Sequence, residues 1–256
     1  MIITSKDNEI IKNIKKLKEK KYRLDSYIVE GIKMVKEAIN ENQEIALIAI
    51  REDFKIDFDT KNTKIVTISN KIFNDISDVK TPQGILAVIK KNQNNQNNQI
   101  ETNQEYILAL DSLQDPGNMG TIIRTADSAN INQIIINKTT VDPYSPKVIR
   151  STMGAIYRTN IIEVEDLKAT LKEMKLKGFQ IITTDLKATQ SIYDINYNNK
   201  TVVVIGNEAN GVSQEILQTA DKKVIIPMLG KTESLNASIA ASIMIYEYVR
   251  QKIQKS

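Results

Sequence analysis

From residue 106 onward, short runs of β-branched and aliphatic residues alternate with segments of helical length, and this alternation restricts the fold more than any other feature of the chain. Residues 106–110, 131–136, 158–164, 179–184, 202–205 and 224–226 read as strands, each too short for a helix. Residues 120–130, 145–153, 166–177 and 237–252 read as helices between or after them. Strands alternating with helices of this length predict an α/β domain with a parallel sheet covered on both faces. Three of the strands run directly into polar, glycine-bearing loops, 111–120, 206–211 and 229–236. Glycine and asparagine there let the chain bend and bring bare backbone groups beside a ligand. Open α/β sheets hold their ligands at the carboxyl ends of their strands, so these loops are the candidate site.

The first 90 residues have a different pattern: a helix over 7–23, strands over 26–30, 45–50, 64–68 and 85–89, and helices over 31–40 and 70–77. They predict a small mixed α/β domain. Residues 92–99 contain only Asn and Gln, and with its flanks the stretch 91–104 lacks the apolar residues that offset ordering entropy. It is expected to be a flexible linker, which divides the chain into 1–90, 91–104 and 105–256. The first helix carries Lys12, Lys15, Lys16 and Arg23 among several more lysines, against Glu19 alone after its first turn. Such a face is either plain solvated surface or a set of phosphate contacts.

The composition closes several chemical routes. The chain has no His and no Cys, so disulfides, thiolate nucleophiles, imidazole bases and Cys/His zinc sites are excluded. Chemistry must come from carboxylates, Arg, Lys, hydroxyls, amides or a cofactor. No apolar leader segment opens the sequence and no run approaches 18 apolar residues, so a cytoplasmic protein with no membrane partner is expected. A net charge of +4 permits a polyanionic partner without demanding one.

The three loops also match a known family. Asn118-x-Gly120-x-x-x-Arg124-x-Ala126, then Ile205-Gly206-Asn207-Glu208-x-x-Gly211-Val212-Ser213, then Ile226-Pro227-Met228-x-Gly230-x-x-x-Ser234-Leu235-Asn236-x-Ser238, resemble the three motifs of the SpoU/TrmH methyltransferases, in order and spacing. These are S-adenosylmethionine-dependent RNA ribose 2'-O-methyltransferases of the SPOUT class. Ser5-Lys6-Asp7-Asn8, Val29-Glu30-Gly31 and Thr81-Pro82-Gln83-Gly84 are similar to that family's amino-terminal substrate-binding domain, itself similar to a ribosomal-protein RNA binder. Asn207 departs modestly from the small residues often found at its position.

The resemblance implies a carboxyl-terminal SPOUT domain with a trefoil knot, a threading that general rules of chain connection would not predict. It implies that Gly206, Ile226 and Leu235 hold S-adenosylmethionine through their backbones, with Thr183, Thr184, Met228 and Asn236 in the same pocket. It implies Arg124 as the residue that deprotonates or anchors the substrate, Asn118 orienting Arg124 or the ribose, and Glu208 pairing with Arg124 or a helix end. Ser234 and Asn236 would bond the cofactor end or the substrate, or cap the helix that follows. Lys147 and Arg150 would join Lys12, Lys15, Lys16 and Arg23 along the RNA, or lie on plain surface. A homodimer is implied, with Ile239, Ile243, Met244 and Ile245 either at its interface or buried within one chain. No metal is expected. The function implied is methylation of a ribose 2'-hydroxyl in RNA, 23S ribosomal RNA first; a tRNA target or a non-catalytic RNA-binding or assembly factor are the alternatives.

Overall fold

The computed structural model describes residues 2–91 and 100–255. The expected linker run 92–99 lies outside the described residues. The chain divides into two compact units, Met1–Gln96 with Asp142–Arg158, and Asn97–Val141 with Thr159–Ser256.

The first unit runs β1 (Ile2–Ile3), α1 (Glu9–Lys16), a 3-10 turn (Lys20–Tyr22), β2 (Ser26–Glu30), α2 (Ile32–Asn40), β3 (Ile45–Arg51), β4 (Ile65–Ile68), α3 (Asn70–Ile76) and β5 (Ile85–Lys90). Its mixed sheet has the order β1-β4-β3-β5-β2. Helix α1 starts where Asn8 Oδ1 accepts the Ile10 N–H at 2.9 Å. Ile11 and Ile14, one turn apart, enter a core with Ile72, Phe73 and Ile76 of α3. The expected helix over 7–23 ends at Lys16, capped at Leu17, and the chain passes through the 3-10 turn before turning inward at Arg23. The Arg23 guanidinium donates to the Leu17 carbonyl at 2.7 Å, just past the helix end. It also pairs with Asp142 at 2.6 Å, the two side chains only 5% and 11% exposed.

The second unit begins with β6 (Tyr106–Leu110), α4 (Pro116–Ser128) and β7 (Gln133–Asn137). Helix α5 (Pro146–Thr152) follows in sequence but belongs to the first unit. The chain then continues through β8 (Asn160–Val164), α6 (Leu167–Leu176), β9 (Gln180–Thr184), β10 (Gln190–Ser191), β11 (Thr201–Ile205), α7 (Gln214–Leu217), β12 (Lys222–Ile225) and α8 (Ala237–Lys255). These seven strands form one sheet, β10-β12-β9-β11-β6-β7-β8, parallel throughout. Both β6 and β11 are buried at every position, as central strands covered on two faces must be. The parallel α/β architecture read from the alternation is thus present, beside a small amino-terminal α/β unit.

Two departures from the expected elements bear on the site. Helix α4 begins at Pro116 rather than at residue 120, because Asp115 caps it and a proline suits the first helical position. In α8, Met244 and Ile245 are fully buried within the unit, while Ile239 is 48% exposed, so the two alternatives for this helix fall on different faces. Among the described residues no helix is long and apolar enough to cross a membrane.

The buried ion pair makes a stability prediction. Removing one partner leaves the other charge buried and unpaired, so Arg23→Ala should cost about 3–5 kcal/mol in denaturant unfolding. Adding Asp142→Ala should recover part of that loss; an Arg23→Ala loss below about 1 kcal/mol would show that the pair is no more than a surface contact.

Candidate active site

Because β12, β9, β11 and β6 are neighbours and parallel, their carboxyl ends share one edge of the sheet. Thr183 and Thr184 finish β9, Gly206 follows β11, residues 226–236 follow β12, and residues 111–118 follow β6. The three motif loops and the expected cofactor residues therefore meet at one edge, although they are far apart in sequence.

Two carboxylates tie the first two loops together in opposite directions. Glu208, in the loop after β11, accepts the backbone N–H groups of Gln114 at 3.0 Å and Asp115 at 2.9 Å, and the Asn118 side-chain amide at 3.0 Å. Asp111, at the end of β6, accepts the Ser213 N–H at 2.8 Å across 102 positions of sequence. Asn137, ending β7, donates to Asp111 Oδ1 at 3.0 Å, and its carbonyl oxygen accepts the Ser112 N–H at 3.1 Å. Asn207 adds a third tie by donating to the Ser112 carbonyl at 2.9 Å. Its own carbonyl oxygen accepts the N–H groups of Ala209 and Asn210, so the residue that departs from the family pattern stabilises the turn it occupies. Ser112 is held at φ 61, a conformation that an L-residue adopts only where its surroundings impose it.

Glu208 therefore bonds Asn118 and the chain entering α4, and not Arg124. Burial works most strongly on its carboxyl and raises its pKa. The hydrogen bonds from Asn118, Asp115, Gln114 and its own backbone together outweigh burial, and the net value lies below the ordinary 4.5. Asn118 is 7% exposed and occupied by this contact, and six positions along a helix turn it well away from the face of Arg124. Arg124 is exposed, and among the described residues its guanidinium makes no hydrogen bond or ion pair. It projects from α4, whose Thr125 and Ser128 hydroxyls lie 3.3 and 3.2 Å from Ser242 and Tyr246 of α8.

The remaining loops offer backbone groups and aliphatic walls that suit the uncharged parts of a bound cofactor. A Cβ built on Gly206 would stand 2.0 Å from the Gly211 carbonyl carbon, so only glycine allows the turn to close through the paired Asn207 and Gly211 backbones. Thr183 is fully buried, and its hydroxyl has no partner among the described residues, which leaves a donor and acceptor for a bound group. Ile226 is buried and Met228 and Leu235 are half-buried, providing aliphatic walls, and Thr184 is half-buried at the strand end. The Asn236 carbonyl oxygen accepts the Ser238 N–H at 2.9 Å and its hydroxyl at 2.7 Å, which makes Asn236 the cap of α8. Ser234 is exposed two positions before it. Sequence reasoning passed over Asp111 and Asn137; a charged residue ending a buried strand, followed by a serine, was their only local sign.

The six cations expected along RNA all fall in the first unit, but they are not equivalent. Arg23 is buried in its pair with Asp142 and is not available to a phosphate, which corrects that expectation. Lys15 pairs with Asp75 at 2.6 Å and, with Lys6, holds that carboxyl down at about 2; Lys12 lies 3.5 Å from Glu9. Lys16, Lys147 and Arg150 have no hydrogen-bonding or ionic partner for their side chains among the described residues.

A depressed carboxyl stabilises the folded loops above its ordinary value, and that contribution fades as pH falls through the lowered one. Amide-exchange protection at Gln114 and Asp115 should therefore hold from neutrality to 4.5 and decline only below it. Glu208→Gln should show no such step, and a decline in the native protein above 4.5 would contradict the assignment.

The chain is similar to known proteins over most of its length. The SpoU rRNA Methylase family matches residues 105–246, and the MRM3-like substrate binding domain matches residues 8–87. The chain is 29% identical over 247 residues to the 23S rRNA (guanosine(2553)-2'-O)-methyltransferase RlmP of Bacillus subtilis, covering 95% of this chain and 97% of that protein. It is 31% identical over 244 residues to a putative TrmH family tRNA/rRNA methyltransferase of Staphylococcus epidermidis, covering 90% and 98%. The AdoMet-bound rRNA methyltransferase of Sinorhizobium meliloti superposes with a TM-score of 0.85 at 28% identity, covering 98% of this chain and 97% of that one. The loops that the two carboxylates tie together lie wholly inside the matched region, and the chain belongs to the SpoU rRNA Methylase family.

Proposed function

We propose that this protein methylates a ribose 2'-hydroxyl in RNA, with ribosomal RNA of the large subunit as substrate and S-adenosylmethionine as methyl donor. The observation that carries this reading is an exposed guanidinium without a partner, Arg124, on the helix that opens from the strapped loops at the ligand edge of the sheet. S-adenosylmethionine supplies an activated methyl group on a sulfonium. The backbones of Gly206, Ile226 and Leu235 would hold its adenosine and methionine parts, and the Thr183 hydroxyl would gain the partner it lacks. Arg124 would grip the phosphate beside the target ribose and so fix the hydroxyl in line for attack; the oxygen–methyl bond would form as the sulfur–methyl bond breaks to leave a neutral thioether, and the hydroxyl proton would pass to water. A guanidinium gives up its proton too reluctantly to serve as base, so positioning is its contribution. Glu208 and Asn118 keep the loop and the start of α4 fixed while this happens. Ser234 and the free amide of Asn236 face the same task at the third loop.

Three further parts belong to the same proposal. The loops after β11 and β12 are threaded as a trefoil knot, as in the family the chain resembles. The protein works in the cytoplasm without a metal. It acts as a homodimer through α8, on which Ile239, at 48% exposure, and Tyr246, at 51%, stand seven positions apart and so on one face.

Incubation with labelled S-adenosylmethionine and ribosomal RNA should place label on a ribose. Arg124→Ala should lower transfer by about 10²-fold or more while leaving cofactor affinity within about twofold. Firm RNA and cofactor binding by the native protein without label in RNA would replace this reading with that of a non-catalytic binding factor. For the dimer, sedimentation should give the mass of two chains, falling to one in Ile239→Asp with Tyr246→Asp; an unchanged mass would remove α8 from the interface.

A further inference from the structure

The α1 face of the first unit is a weak candidate for RNA contact. Its cations are largely answered by acids of the same unit: Lys12 by Glu9, Lys6 and Lys15 by Asp75, and Lys18 by Asp78 at 3.0 Å. The next segment is different. In residues 20–24 the chain turns through a 3-10 turn whose own residues include none that is buried. Arg23 alone points inward, clamped to the Leu17 carbonyl and to Asp142. The clamp forces its two neighbours outward, so Tyr22 is 41% exposed and Leu24 is 78% exposed. Large apolar side chains held in water cost free energy, and here a buried ion pair holds them there.

The segment itself is rich in lysine. The Lys21 ammonium lies 4.8 Å from the centre of the Tyr22 ring, and Lys16 and Lys20 precede it on exposed positions. Asp142, the inner anchor, introduces the segment that carries Lys147 and Arg150, neither of which has a side-chain partner among the described residues. The acids within the segment are Glu19, paired with Lys21 at 2.9 Å in an exposed contact of little strength, and Asp25. An exposed aromatic ring and an aliphatic side chain on a lysine-rich turn match an unpaired nucleotide: its base stacks on the ring and its phosphates meet the ammonium groups. A duplex offers the phosphates but no open base face.

We infer that Tyr22 and Leu24 form a stacking platform for an unpaired base, so that this unit selects single-stranded or looped RNA beside the methylation target. The inference rests on the RNA-directed reading given above and adds the structural class of the RNA. Stacking and charge leave different marks on binding. Salt dependence counts the phosphates neutralised, at roughly 0.7 in log–log slope for each on a single strand, and stacking contributes nothing to it.

The test measures binding of the full chain to an unstructured pyrimidine RNA of about 12 nucleotides and to a blunt RNA duplex of the same length, each over a range of salt. Tyr22→Ala should weaken single-strand binding by about 5- to 100-fold with an unchanged salt slope, and should leave duplex binding within twofold. Tyr22→Phe should restore native affinity. Lys16→Ala with Lys147→Ala should do the converse, flattening the slope for both RNAs. Equal loss on both RNAs in Tyr22→Ala, or no loss on the single strand, overturns the platform while leaving the methyltransferase reading intact. A native protein that binds neither RNA, and no ribosomal RNA, overturns the RNA-directed reading itself.

Discussion

Two carboxylates crossing in opposite directions between the loops after β6 and β11 carry the organisation of the catalytic unit. Asp111 reaches out to the backbone of Ser213, and Glu208 reaches back to the backbone of Gln114 and Asp115. Backbone N–H groups at loop ends and at a helix entry are obligatory donors that sheet and helix bonds leave open. Each carboxylate answers donors of the other loop, so neither loop can move without breaking a charge-assisted bond. Glycine at 206 lets the turn close tightly enough for Glu208 to reach, and Asn118 completes its shell. Glu208 and Asn118 are thereby occupied with each other and with the chain entering α4, and Arg124 is exposed without a partner among the described residues.

Much of this framework was legible in the residues. Strands β6 and β11 fall where β-branched and aliphatic runs place them, because central strands covered on two faces tolerate little else. The meeting of three loops at one edge followed from parallel connection alone. Other features lacked a local signal. Two-residue strands such as β1 and β10 are too short to show periodicity. Helix α4 starts ahead of its apolar pattern, because an acidic cap before a proline opens a helix even inside a glycine-bearing stretch. Glu208 was recognisable as a motif residue, but its partners are backbone groups, which every residue carries and no pattern marks.

Charge was the least legible property. A helix with many lysines reads as a phosphate-binding face until its partners are known, and Asp75 and Asp78 lie about sixty residues away from the lysines they neutralise. Arg23 went furthest astray: listed among surface cations by its sequence context, it serves as an internal clamp. Neutral stretches of the surface were correspondingly undervalued, since an exposed tyrosine or leucine carries no flag in a linear pattern. Burial, and not composition, separates a cation that recognises from one that supports.

The excursion from Asp142 to Arg158 has a consequence for the lineage of such proteins. It leaves the methyltransferase sheet between β7 and β8, and Asp142, Tyr157 and Arg158 bond Arg23, the Met34 carbonyl, and Glu37 with Glu41. A recombination event that exchanged only the leading ninety residues for those of another protein would strand these groups without their mates. Exchange of recognition modules is therefore a two-piece graft, and descent by gradual substitution is the easier route to a new target.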